Sequence, residues 1–136
     1  MKELQEAIEI KLLTENLDDS EKEIIESFLT EKGGFRYAAA LAADWARAQN
    51  RWNSDWDKCE MEPWGKPRQA CRLDAHVNYI ETKMKLLKTN GAKYLKDADS
   101  PEQKKKRQDS LNKRMDKLKA SLKKAQEKRS KVKVTY

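Results

Sequence analysis

Apolar residues recur at intervals of three and four along most of this chain, and that interval is the period of an amphipathic helix. The first set is Leu4, Ala7, Ile8 and Leu12. It predicts a short helix that ends near Asn16 or Leu17. Ser20 and Glu23 then form a capping box, which predicts the start of a second helix that ends at Gly33-Gly34.

Two longer patterns follow, joined by a turn. From Phe35 onward a helix of roughly 25 residues or more is predicted; its apolar stripe is Leu41, Trp45, Ala48, Trp52, Trp56 and Cys59. The turn at residues 63–67 leads into a heptad-like seam made of Leu73, Val77, Ile80, Met84 and Leu87. Asn90-Gly91 then offers a stop or a kink. Because the turn is short, the two helices should lie antiparallel.

A last helix is predicted after Ser100-Pro101-Glu102, which supplies a cap, a proline in the first turn and an early acid. Its seam is Leu111, Met115, Leu118, Leu122 and Ala125. A seam this short needs a partner surface, because most helical stability comes from packing an apolar face. The partner is either the hairpin of the same chain, giving a three-helix bundle, or another copy, giving a coiled coil. We favour packing within the chain, with further contacts between copies.

These patterns predict an all-α fold in three segments. Residues 1–34 form a short acidic N-terminal helical pair, residues 35–99 a long antiparallel helical hairpin, and residues 100–136 a basic C-terminal helix with a short tail. Four Gly and three Pro are too few for an all-β sandwich. The sequence shows no apolar run near the roughly 20 residues of a membrane span and no signal peptide. We therefore expect a cytoplasmic protein without a membrane partner.

Charge is distributed unevenly along the chain, whose net charge is +7. Residues 1–32 carry 4 basic and 10 acidic side chains, whereas residues 101–136 carry 14 basic and 4 acidic ones. A strongly basic helix suits the phosphates of DNA or RNA, although it also suits an acidic protein surface, including the acidic segment of another copy. The residues predicted to contact nucleic acid are Lys104, Lys105, Lys106, Arg107, Lys113, Arg114, Lys117, Lys123, Lys124 and Arg129.

The predicted turn carries an unusual tryptophan. Turn residues are usually exposed, so Trp64 is expected in solvent, near Lys66, Arg68 and Arg72. These four residues are predicted to contact a partner, with the indole acting as an anchor at a protein interface or as a stacking platform for a base. The other tryptophans of the long stripe are expected to fill the core.

Candidate catalytic and metal chemistry is sparse. Cys59, Cys71 and His76 lack the close ligand pairs of a structural zinc site, and no familiar enzyme motif surrounds them. We predict no metal, no cofactor and no enzymatic activity, and place His76 at the edge of the core. The two cysteines flank the turn and would bond in an oxidising compartment, but reduced thiols are the default expectation.

The leading hypothesis is a non-enzymatic protein that binds nucleic acid, either DNA or RNA, and uses its basic C-terminal helix for phosphate contacts. The alternative is a helical assembly, adaptor or inhibitor protein that acts only through protein contacts. Self-association is expected under either hypothesis.

Overall fold

The structure is a computed structural model that describes Leu17, residues 19–30 and residues 34–134, apart from the side chains of Ser20 and Thr30. Its helices are α1 (Asp19–Ser27), α2 (Phe35–Lys58), α3 (Lys66–Lys96) and α4 (Pro101–Ser130), with 3₁₀ turns at Phe28–Thr30 and Cys59–Met61. Every regular element in this part of the chain is helical, so the predicted all-α fold is confirmed. The predicted first helix, residues 4–16, lies outside the described residues.

Helix α3 is the centre of the molecule. Helix α2 packs antiparallel on one side of it and α4 packs antiparallel on another. Helix α1 and the 3₁₀ turn that follows it complete the bundle. Their residues Ile25 and Phe28 are buried in the same core as Leu41, Leu87 and Leu118, which come from the other three helices. The basic helix therefore packs within its own chain, as we favoured, and all three predicted segments contribute to a single core.

The turn between α2 and α3 is built by local sequence. Helix α2 is 24 residues long and passes into the Cys59–Met61 3₁₀ turn. Gly65 then adopts a φ of 94°, a left-handed conformation that a side chain would strain, and α3 begins at the next residue with Pro67 in its first turn. The predicted hairpin and its turn are confirmed.

Helix α3 continues through Asn90-Gly91 to Lys96, so the stop predicted there as one alternative is wrong. Asn90 is accommodated because its Nδ2 donates to the carbonyl of Leu86 at 2.9 Å and to Asp44 Oδ2 at 3.0 Å. Gly91 is buried against Leu111 of α4. A Cβ built there would lie 3.0 Å from Leu111 Cδ1. The glycine thus serves helix packing and does not end the helix.

Helix α4 begins as predicted, because Ser100 Oγ accepts a hydrogen bond from the backbone N–H of Gln103 at 3.1 Å. Of the predicted seam, Leu111 and Leu118 are buried, whereas Met115 and Leu122 are half-buried. No helix in the described part of the chain is long and apolar enough to cross a membrane.

The two cysteines are joined. Cys59, which is fully buried, forms a disulfide with Cys71, and their Cα atoms are 5.6 Å apart. The default expectation of reduced thiols is therefore wrong for this structure. The bond connects the end of α2 to the first turns of α3 and closes the turn that carries Trp64.

Candidate nucleic-acid interface

Five lysines lie along one side of α4: Lys106, Lys113, Lys117, Lys124 and Lys128. Their separations of seven and four residues keep them on one flank of a helix with 3.6 residues per turn. All five are exposed, and at 1.5 Å per residue the set spans about 33 Å. We call this set the lysine row. Its last member was not among the predicted contact residues.

Few carboxylates compensate the lysine row. Lys117 Nζ lies 3.7 Å from Glu23 Oε1, but both side chains are more than half exposed, so the pair contributes little. Among the described residues, no carboxylate lies within 4.0 Å of the ammonium groups of the other four lysines. Within the described part of the chain, Lys117 is therefore the one member of the row that has a carboxylate within 4.0 Å.

The acids of α4 separate the lysine row from the remaining predicted lysines. Helical spacing places them along the middle of the exposed face, between the two flanks; they are Glu102, Asp109, Asp116 and Glu127. Lys104, Lys105 and Lys123 lie on the flank opposite the lysine row. The predicted lysines consequently form two surfaces instead of one.

Two predicted phosphate contacts, Arg107 and Arg114, lie inside the protein, where they cannot join an exposed phosphate-binding surface. The Arg107 guanidinium lies 4.2 Å from the Tyr94 ring centroid and donates to the Tyr94 carbonyl at 2.6 Å. The Arg114 guanidinium lies 3.7 Å from the Phe28 ring centroid. A buried arginine guanidinium is stabilised by stacking on aromatic rings and by hydrogen bonds. A prediction that places every polar residue on the surface therefore does not identify such an arginine.

Arg129, a further predicted contact, is half-buried and engaged in local interactions. Its Nε lies 2.6 Å from Asp74 Oδ1 on α3, and its Nη1 donates to the carbonyl of Val132 at 2.9 Å. These contacts fix the end of α4 beside the first turns of α3. Arg129 therefore positions the C-terminal end of the lysine row.

The lysine row ends beside a stack of rings. The Trp52 ring is nearly parallel to that of Tyr79, with centroids 4.6 Å apart, and stacks on His76 at 5.3 Å. A cavity of about 260 Å³ next to these rings is also lined by Lys124 and Lys128. His76 is half-buried, at the edge of the core as predicted.

The turn between α2 and α3 presents an exposed indole, as the sequence predicts. Trp64 is 84% exposed, and the Arg68 guanidinium lies 4.1 Å from its ring centroid. The Arg72 guanidinium lies 4.8 Å from the Trp56 ring. These side chains and His76 line an open cavity of about 420 Å³. Lys66 is exposed one residue beyond Gly65. Contact of this region with a partner remains a prediction.

Glu21, Tyr79 and Lys83 form a buried polar cluster that the sequence does not predict. Lys83 Nζ lies 3.0 Å from Glu21 Oε1, and the Tyr79 hydroxyl donates to Glu21 Oε2 at 2.8 Å. Tyr79 and Lys83 are one helical turn apart on α3, but nothing marks Lys83 as buried in a chain with so many solvated lysines. The cluster supports the wall of the cavity beside Trp52.

The described residues contain no group of three or more His, Cys, Asp and Glu side chains that could hold a metal ion. Comparison with protein-family models, with curated proteins and with solved structures finds no match to this chain.

Proposed function

We propose that this chain is a non-enzymatic nucleic-acid-binding protein that contacts phosphates through the lysine row. The observation that carries the proposal is the line of five exposed lysines on α4, of which only Lys117 has a carboxylate within 4.0 Å among the described residues. Lysine ammonium groups on a rigid helix neutralise backbone phosphates and release condensed counterions, which supplies most of non-specific binding. The proposal omits Arg107 and Arg114, because both are buried.

Fluorescence anisotropy across a salt series tests this proposal. The probes are labelled single-stranded DNA, single-stranded RNA and duplex DNA of matched length. The variant carries Lys106→Gln, Lys113→Gln, Lys124→Gln and Lys128→Gln, and it leaves Lys117 with its carboxylate partner. The plot of log K against log salt has a negative slope, and each lost phosphate contact reduces its magnitude by about 0.7 for a single strand and about 0.9 for a duplex. For four lost contacts we expect a reduction of about 2.8 with a single strand and about 3.6 with a duplex.

A charge-matched control distinguishes the lysine row from overall charge. The control variant carries Lys85→Gln, Lys88→Gln, Lys93→Gln and Lys96→Gln, which removes four exposed lysines from α3. Its salt slope should stay close to that of the wild type. An equal loss in both variants contradicts a defined site on α4. Absence of binding to all three probes at low salt contradicts the proposal altogether.

The second candidate is an assembly, adaptor or inhibitor protein that acts through protein contacts alone. The specific observation in its favour is the pair of large apolar side chains on the turn, Met61 at 90% and Trp64 at 84% exposure. Exposed tryptophan is typical of the residues that dominate binding energy at protein interfaces. This candidate predicts no nucleic-acid binding and unchanged partner binding by the lysine-row variant.

A cytoplasmic location belongs to the same proposal, since nucleic acids are intracellular partners. The Cys59–Cys71 disulfide counts against this location, because disulfides are rare in reducing compartments. The location is tested by acid-quenching cells, so that thiol exchange stops, and then labelling the free thiols of this protein in each cell fraction. Cysteines that resist labelling because they are oxidised, in a fraction free of cytoplasmic proteins, would contradict a cytoplasmic location.

A further inference from the structure

The exposed Trp64 and the cavity beside it lead to a more specific statement about the nucleic acid. We propose that the ligand is single-stranded, and that one of its bases stacks on Trp64 while its backbone follows the lysine row. This inference rests on the proposed function and names the class of nucleic acid that the same surface takes.

Trp64 is held in place by the turn around it. Arg68 Nη2 donates to the carbonyls of Glu60 at 2.8 Å and Glu62 at 3.1 Å, while its guanidinium covers one face of the indole. The disulfide Cys59–Cys71 closes the base of the turn. An exposed indole fixed in this way loses little conformational freedom when a base stacks on its uncovered face.

The aromatic residues are continuous with the lysine row. His76 lines both the cavity beside Trp64 and the cavity that contains Lys124 and Lys128. The ion pair between Arg129 and Asp74 holds this end of α4 against α3. A strand whose phosphates follow the row is thereby led toward the exposed rings. A positive groove combined with stacking platforms is the arrangement of proteins that bind single strands without strong sequence preference.

Chemistry at the turn favours a base with its phosphate over a basic or neutral peptide. The described residues that line the cavity beside Trp64 include Arg68, Arg72 and His76 but no carboxylate. Stacking between an aromatic ring and a base needs an unpaired base, because duplex bases are already stacked on each other and present only their edges. A duplex would use the lysine row and leave Trp64 unoccupied.

The test compares the wild-type chain with Trp64→Ala. The probes are a labelled single strand of about 20 deoxythymidines, longer than a typical single-strand binding site, and a duplex of equal length. Met61→Ala is the control, since Met61 is an equally exposed apolar residue of the same turn. We expect Trp64→Ala to bind the single strand about 5-fold to 100-fold more weakly, the range for loss of one stacked base. Duplex affinity and the Met61→Ala variant should change less than about 2-fold. Binding of the single strand should also quench tryptophan emission in the wild type more than in Trp64→Ala.

The two proposals fail in different ways. If the wild type binds the duplex as tightly as the single strand, or if Trp64→Ala keeps its single-strand affinity, the inference is overturned while the lysine row stands. If the wild type binds neither probe at low salt, both proposals fail and the exposed indole becomes a candidate anchor for a protein. Because Trp64 is almost fully exposed, the substitution should leave the far-ultraviolet circular dichroism and the melting temperature unchanged.

Discussion

Lys83 Nζ lies 3.0 Å from Glu21 Oε1, and only 6% of either side chain is exposed. This ion pair links the acidic N-terminal part of the chain to the central helix α3. Tyr79 occupies the second carboxylate oxygen, so the buried charge is paired and hydrogen-bonded. At least one acid of the N-terminal segment is thus neutralised within the chain, where it is not available to a second copy.

Breaking this pair should be costly, whereas removing both charges should cost less. We expect Lys83→Met to lower the free energy of unfolding by about 3–5 kcal/mol, because it leaves the Glu21 charge buried without its cation. The double variant Glu21→Gln with Lys83→Met should lose less than the sum of the two single losses. Urea unfolding of all four proteins measures the coupling. Simple additivity of the losses would contradict a direct interaction.

Arg114 and the lysine row should respond oppositely to substitution. Arg114→Met removes a buried guanidinium that stacks on Phe28 and donates to Ser27 Oγ at 2.8 Å. We expect a loss of about 2 kcal/mol in unfolding free energy and less than about a 2-fold change in nucleic-acid affinity. Lys124→Gln should weaken nucleic-acid binding and leave stability within about 0.5 kcal/mol. A reversed pattern would show that the guanidinium reaches the ligand.

Gly91 should tolerate a methyl group only when Leu111 is made smaller. A Cβ at Gly91 would lie 3.0 Å and 3.2 Å from the two terminal carbons of Leu111, so Gly91→Ala should crowd the contact between α3 and α4. We expect a net loss of about 1 kcal/mol, because crowding exceeds the gain in helix propensity. In a Leu111→Ala background the same change should stabilise the protein by about 1 kcal/mol. Thermal unfolding of the four variants shows whether the sign reverses.

Tyr37 should confer a dependence on alkaline pH. Burial of the ring raises the pKa of its hydroxyl above the ordinary value, and the hydrogen bond that it donates to Asp97 raises it further. The pKa of the Tyr37 hydroxyl is therefore higher in the folded than in the unfolded chain. The contribution of the protonated hydroxyl to the free energy of unfolding is complete below about pH 10, the unfolded pKa, and is lost as the pH rises through the folded pKa. The stability difference between wild type and Tyr37→Phe, measured by urea unfolding, should be constant from pH 7 to 9 and change only above that range. A difference that changes below about pH 9 would contradict the hydrogen bond to Asp97.

Reduction of the disulfide should loosen the turn that carries Trp64. Cys59 and Cys71 are 12 residues apart, and closing a loop of this size stabilises a protein by about 3 kcal/mol in the chain-entropy treatment. Dithiothreitol should lower the melting temperature of the wild type and have no effect on Cys59→Ser with Cys71→Ser. A wild-type melting temperature that is insensitive to reduction, with both thiols shown to be free, would exclude a stabilising role for the bond.

The sequence alone determined the local features of this protein. The start of α4 at Ser100-Pro101, the turn with Gly65 and Pro67, and the exposure of Trp64 all depend on residues close together in the chain, and all agree with the structure. Periodic apolar positions likewise identified the helices, because one face of each helix must be buried whatever lies opposite it.

Contacts between helices, by contrast, fix which polar residues are buried and which cations share a surface. Arg107, Arg114 and Lys83 resemble any solvated cation in the sequence, and their burial depends on rings and a carboxylate contributed by distant segments. Asn90-Gly91 resembles a helix end, yet α4 supplies the packing that carries α3 through it. Burial and helix continuation at these positions depend on side chains contributed by another helix. The local pattern of apolar and polar residues does not contain that information.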